Sequence, residues 1–224
     1  ALGYAHFLLH NGHIKESNGI WQEYTGTAGM TNPGFETDFT GWGFDWRYWE
    51  EKEGISEVMR TSSDAWEGDY ALKIHFNGRE NLNFHHFYQV FTVDPLAKDR
   101  LTYIWKSQDI TTDEGPFIEI IGYDKKGMHA AGPKITGTQP WREVSIEFYV
   151  PEGCRAGIVR LRRQPSYRFD SKITGSVWLD AFQLEKIGED SQRFYYNMNA
   201  LQYQKRISQD KNLYLFTRSI DEQK

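Results

Sequence analysis

The sequence predicts a mainly β protein: an antiparallel β-sandwich (jelly roll) with short flanking helices at both ends. Three observations point there. Short runs rich in β-branched and aromatic residues recur from about residue 30 to 188. Gly and Pro turns punctuate them, and no long amphipathic helix intervenes. Finally, Asn32-Pro33-Gly34-Phe35-Glu36 near one end and Val177-Trp178-Leu179-Asp180 near the other read as first and last strands that meet in space.

Taken in order, residues 1–29 read as a helical hairpin. Tyr4, Phe7, Leu8 and Leu9 put an apolar side on the first helix, and Asn11-Gly12 stops it, as glycine past a helix end commonly does. Ile20, Trp21 and Tyr24 give the second its helical spacing. So small a hairpin cannot bury its own apolar side and needs another surface to pack on.

Residues 30–188 form the sandwich. The run 85–93 is ended by Asp94-Pro95, because proline lacks the donor a ladder needs. Strands follow at 101–107, 116–121, 144–150, 158–163 and 176–184. Residues 189–224 form a third part, with Phe194, Met198 and Leu201 spaced for a helix over about 190–208 and Leu213–Phe216 a last apolar patch.

Side chains alternate across a strand, so parity separates core from outer face. Leu101, Tyr103 and Trp105 are core, as are Ile118 and Ile120, Val144, Ile146 and Phe148, and Val159 and Leu161. The opposite parity leaves Glu119, Glu147, Tyr149, Arg160 and Arg162 on an outer face. Fork donors and carboxylate acceptors of this kind suit hydroxyl groups, and equally suit cross-strand ion pairs on a solvated sheet. Trp46 and Trp49, in the aromatic stretch Trp42 to Trp49, are candidates for flat stacking platforms.

The totals narrow the function classes. With 224 residues and a net charge of −5, the chain lacks the basic stripe nucleic acid calls for. No apolar run reaches the roughly 20 residues of a membrane helix, so no membrane insertion is expected. Cys154 is the only cysteine, which excludes an internal disulfide. Ala1-Leu2-Gly3-Tyr4 lacks the charged start and apolar stretch of a signal peptide and begins without Met, as a piece of a longer protein would. Glycoside hydrolysis needs two facing carboxylates. Glu119 and Glu147 are the pair available, with no nucleophile motif or phosphate loop beside them, so the chain is expected not to be an enzyme.

The stretch 32–187 resembles the jelly-roll carbohydrate-binding modules that recognise cellulose, xylan and related glucans. The resemblance rests on Asn32-Pro-Gly-Phe-Glu36 with Gly41-Trp42, on Trp66-Glu-Gly-Asp-Tyr-Ala-Leu-Lys73, on Gln89 to Pro95 followed by Leu101 to Ser107, and on Trp141 with Phe148 to Pro151 and Val177 to Asp180. It implies non-catalytic polysaccharide or oligosaccharide binding on a concave sheet face, and one structural calcium ion held by Glu36 and Asp180 with carbonyls near Gly68 or Lys73. Tyr4, Ala5, Leu8, Ser17 and Trp21 resemble the packing positions of a last tetratricopeptide repeat. Such helices ahead of such a sandwich are similar to bacterial proteins near exopolysaccharide synthesis and export genes, which implies an extracytoplasmic setting. The alternative is a scaffold whose sandwich and terminal helices bind a protein partner.

Overall fold

The computed structural model describes residues 1–27, 29–49, 54–169 and 171–189. Chain contacts divide the molecule into Ala1–Gly188 and Glu189–Lys224. The helix expected over 190–208 and the apolar patch 213–216 lie outside the described residues.

Two helices open the chain, α1 (Leu2–His10) and α2 (Ile14–Thr25). The Asn11 side-chain amide donates to Phe7 O at 2.8 Å, and Gly26, in the left-handed region at φ 69°, closes α2 through a 2.8 Å bond to Gln22 O. The buried face of α1 differs from the expected one. Ala5, Leu8 and Leu9 turn inward, whereas Tyr4 and Phe7 stack on each other in solvent. The small Ala5 allows the helices to approach, and Ser17 Oγ donates to Ala5 O at 2.6 Å across the gap.

Among the described residues ten strands follow: β1 (Arg47–Tyr48), β2 (Ser56–Thr61), β3 (Ala71–Asn77), β4 (Phe84–Thr92), β5 (Ala97–Ile110), β6 (Phe117–Gly122), β7 (His129–Ala131), β8 (Gly137–Tyr149), β9 (Ala156–Arg163) and β10 (Thr174–Glu189). They build two five-stranded sheets, sheet A in the order β1-β4-β9-β6-β7 and sheet B in the order β2-β3-β10-β5-β8. The fold is therefore the mainly β sandwich that the strand pattern predicts. Asn32–Glu36 is a loop rather than the first strand, since Asn32 and Phe35 both have positive φ. It still meets the last strand, because Phe182 N donates to Pro33 O at 3.1 Å.

The inner faces interdigitate as parity requires. Phe84, Phe87, Phe91, Ile118, Ile120, Val159 and Leu161 of sheet A meet Leu72, Ile74, Leu101, Tyr103, Ile146, Phe148 and Leu179 of sheet B. Cys154 is buried and its thiol is pushed up to about 11, by burial first and by Asp124 next. Arg163 is fully buried, without a carboxylate partner among the described residues. Its guanidinium donates instead to Asn81 Oδ1 (2.9 Å), Thr112 Oγ1 (3.3 Å) and the carbonyls of Leu82, Glu114 and Ser171. A buried charge demands such saturation.

The hairpin docks on the outer face of sheet A. Ala5, Leu9, Ile14 and Trp21 join Phe44, Val90 and Ala156 in an apolar cluster distinct from the sandwich core. Gly43 makes this possible: at φ 51°, a Cβ there would lie 2.4 Å from the Trp21 ring. Trp21 Nε1 donates to Thr31 Oγ1 at 2.9 Å.

Candidate functional site

Strand register lays out the outer face of sheet A row by row. One row crosses the sheet as Arg47, Tyr88, Arg160, Glu119 and Ala131. Two residues along the strands, Val90, Ile158 and Ile121 form the next row, and the hairpin packs over this end at Val90 and Ile158. In the other direction the row holds Arg162 and Phe117, with Trp49 just past β1. The hairpin thus roofs one half of the face and, among the described residues, leaves the other open.

The open half combines an aromatic ring with fixed charges. Trp49 is 44% exposed and meets His86, Tyr88 and His85 edge-on at 5.1, 5.3 and 5.8 Å. Glu119 is only 7% exposed. Its Oε2 accepts from Arg160 Nε at 2.7 Å and Nη2 at 2.6 Å, and its Oε1 lies 3.2 Å from His129 Nε2. The carboxylate aims the Arg160 fork, and among the described residues the remaining guanidinium hydrogens meet no acceptor. Arg162 is tied down, donating to Asn83 Oδ1 (2.6 Å) and Phe84 O (3.0 Å). Burial, with Arg160 beside it, holds its pKa below the usual arginine value.

The candidate residues therefore separate. Trp49, Glu119, Arg160 and Arg162 share the outer face of sheet A. Glu147 and Tyr149 lie on β8, in sheet B, where Glu147 pairs with Lys98 (2.6 Å) and Arg100 (2.7 Å) and Lys98 sits over the Tyr149 ring at 5.6 Å. Those two cations hold the Glu147 carboxyl below the usual carboxylate range. Parity is right for every one of these residues, but it distinguishes inside from outside and not one sheet from the other. It follows that Glu119 and Glu147 lie on opposite outer faces and form no facing pair.

Trp46 is corrected from platform to core. It is 1% exposed, stacks on Phe87 at 4.9 Å and 11°, and donates Nε1 to Asn32 O at 3.0 Å. Three residues along an extended chain invert the facing of a side chain, so Trp46 and Trp49 cannot share a surface.

Glu36 and Asp180 are brought together at Gly34, where a Cβ would lie 3.7 Å from Asp180 Oδ1 and 3.9 Å from Glu36 Oε1. Asp180 accepts from the backbone of Trp66 (2.9 Å), Glu67 (3.2 Å) and Ala181 (2.7 Å), and Glu36 from that of Asp69 and Tyr70 (3.2 Å each). Burial raises the Asp180 pKa, and the Glu36 charge adds to it. Gly68 lies against the Glu36 carboxylate, whereas Lys73 is within the β3 ladder between Met59 and Trp178. Among the described residues no group of three His, Cys, Asp or Glu side chains could share a metal.

The sequence reading missed Tyr88 and His129 in sheet A. The bulge between Phe84 and Phe87 breaks the alternation that would have assigned Tyr88 to the outer face. It also missed an aromatic cluster on sheet B, where Trp66 and Trp141 lie 6.3 Å apart and Lys106 sits 4.4 Å from the Trp178 ring and 5.2 Å from that of Trp141.

No protein-family model matches the sequence, and no curated protein resembles it at the level of sequence. Solved structures do resemble it in shape. A cyclase from Fischerella sp. TAU, in complex with 4-(1H-indol-3-yl)butan-2-one, aligns at TM-score 0.50 and 13% identity over 74% of this chain and 100% of its own. The carbohydrate-binding module TmCBM61, in complex with β-1,4-galactotriose, aligns at TM-score 0.46 and 20% identity over 71% of this chain and 99% of its own. A CBM4 structure aligns at TM-score 0.49 and 14% identity over 70% and 99%. At 13% identity and TM-score 0.50 the likeness to the cyclase shows the fold alone.

Proposed function

We propose that this chain is a non-catalytic polysaccharide-binding module whose site is the open half of sheet A. One observation carries the reading: Trp49, a half-exposed ring at the β1 edge, shares the outer face of sheet A with Arg160, two strands further in, which Glu119 holds in place. A ring for the C–H face of a pyranose, on the same face as an ordered donor for its hydroxyls, is the combination such recognition needs. Retention on insoluble glucans and xylans, compared between the parent protein and Trp49→Ala, tests it. Loss in Trp49→Ala supports the site. Loss only in Trp66→Ala moves it to sheet B, and no retention of the folded parent on any glycan refutes it.

The same proposal includes one calcium ion on Glu36 and Asp180. Two converging carboxylates supply hard oxygen ligands, and a cation there would offset the burial that raises the Asp180 pKa and the smaller addition from the Glu36 charge. Calcium should raise the melting temperature of the parent, a chelator should reverse this, and Glu36→Gln should abolish the response. The extracytoplasmic setting, and the link to exopolysaccharide synthesis or export beside tetratricopeptide repeats, complete the proposal. Ala5, Ser17 and Trp21, three of the five repeat-like positions, support it by packing between the helices or beneath them. A protein-binding scaffold is favoured instead by the solvent-facing Tyr4–Phe7 stack on α1, and surface plasmon resonance against partners with Tyr4→Ser/Phe7→Ser distinguishes the two.

A further inference from the structure

A cavity of about 460 Å³ lies between α2 and the end of the sandwich, walled by the β4–β5 turn, the start of β9 and the end of β10. Its size falls within the roughly 300–1,000 Å³ of small-molecule sites. Asp99 lines it. By parity Asp99 belongs with Ala97 and Leu101, on the inner side of β5, where an apolar residue is the rule. It is 4% exposed, and its Oδ1 has no hydrogen-bond partner among the described residues. An unsatisfied buried carboxylate oxygen is destabilising, so its retention beside a cavity needs a reason. Burial and the nearby Asp94 push its pKa up to about 6.

The other walls carry the complementary charge. Lys186 is paired with Asp94 at 3.2 Å. Lys15 and Arg155 have no carboxylate partner among the described residues, and the Arg155 side chain reaches only Gly153 O at 3.3 Å. Asn18 adds an amide, both donor and acceptor, while Ile14 and Leu184 add apolar wall. A ligand for this cavity therefore presents hydroxyl donors to Asp99, an anionic group to Lys15 and Arg155, and a C–H surface to Ile14 and Leu184.

We infer that this cavity binds a small sugar acid, a polyhydroxy carboxylate of the hexuronic type. Such a molecule carries all three features within one ring. A neutral sugar leaves the two cations unmatched, and an apolar acid leaves Asp99 unmatched. The site is separate from the open half of sheet A and does not depend on the polysaccharide reading there.

Isothermal titration of the full chain with sodium glucuronate, and in parallel with glucose, tests the inference. Glucuronate should bind saturably and glucose at least about tenfold more weakly, the factor expected for losing a charge-assisted contact. Asp99→Ala and Lys15→Ala/Arg155→Ala should each weaken glucuronate by about tenfold or more. Because the lysine and arginine are surface positions, the double variant keeps the test valid even if Asp99→Ala misfolds. Equal binding of glucose, unchanged binding in the double variant, or no saturable response at tens of millimolar glucuronate overturns the inference. Retention of the same variants on insoluble polysaccharide, read alongside, separates failure at this cavity from failure of the sheet A site.

Discussion

Asp99 makes the stability of this protein depend on pH in a direction opposite to that of most carboxylates. Its ordinary value is 3.8 and the folded protein raises it to about 6, by burial first and by Asp94 next, with Lys186 opposing. Between those values the folded chain holds a proton that the unfolded chain has lost. Stability is therefore greatest below pH 3.8 as far as this group is concerned, and falls as pH rises through 6. At about 1.4 kcal/mol per pH unit, the shift is worth up to about 3 kcal/mol by neutral pH. Asp99→Asn removes the titration while preserving the shape. Urea denaturation of both proteins, followed by tryptophan fluorescence from pH 4 to 8, gives a difference curve from which the other titrating groups cancel. The variant should gain on the parent as pH rises, approaching about 3 kcal/mol at pH 8. A flat curve, or a parent that gains on the variant, would show that Asp99 is ion-paired, and would refute the reasoning.

Three further outcomes follow from the packing. Trp46→Ala should destabilise the fold by about 3–5 kcal/mol in urea denaturation, and Trp46→Phe by less, because the ring fills the core against Phe87. Gly43→Ala should lower the melting temperature and expose Trp21 to fluorescence quenchers, since the added Cβ meets that ring with a backbone already at positive φ. Arg163→Met should destabilise by about 3 kcal/mol or more without changing any outer face, as it strands the carbonyls of Leu82, Glu114 and Ser171, a loss that denaturation of the purified variant measures.

Alternation made the inside of the sandwich legible in the sequence. Leu101, Tyr103 and Trp105, or Val159 and Leu161, are core for the reason their spacing implies. Strand order was not legible, because which strands become neighbours is decided by long-range pairing that no local pattern records. That is why Glu119 and Glu147, both correctly outward, end on different sheets. The two-residue β1 was too short to reveal its phase, so Trp46 and Trp49 read as a pair when the backbone sends them opposite ways. The hairpin was legible as helices, but its buried side was misread through Tyr4 and Phe7. Large aromatics suggest a core, whereas close helix packing selected Ala5. Asp99 went unnoticed because a carboxylate at a core position looks, in sequence, like a turn residue after Pro95.

The docking of the hairpin sets a geometry for whatever lies on sheet A. It closes the face along the strands and leaves it open across them. A chain resting there would run perpendicular to the strands, from Arg47 towards β7, with the helices as a bank on one side. Five strands about 4.8 Å apart span roughly 19 Å in that direction, room for a few sugar rings if the proposed function holds. Among the described residues both ends of that path are sheet edges, so a long polymer on it would cross the whole sheet. On the proposed function, recognition of this form would select internal stretches of a chain over its termini.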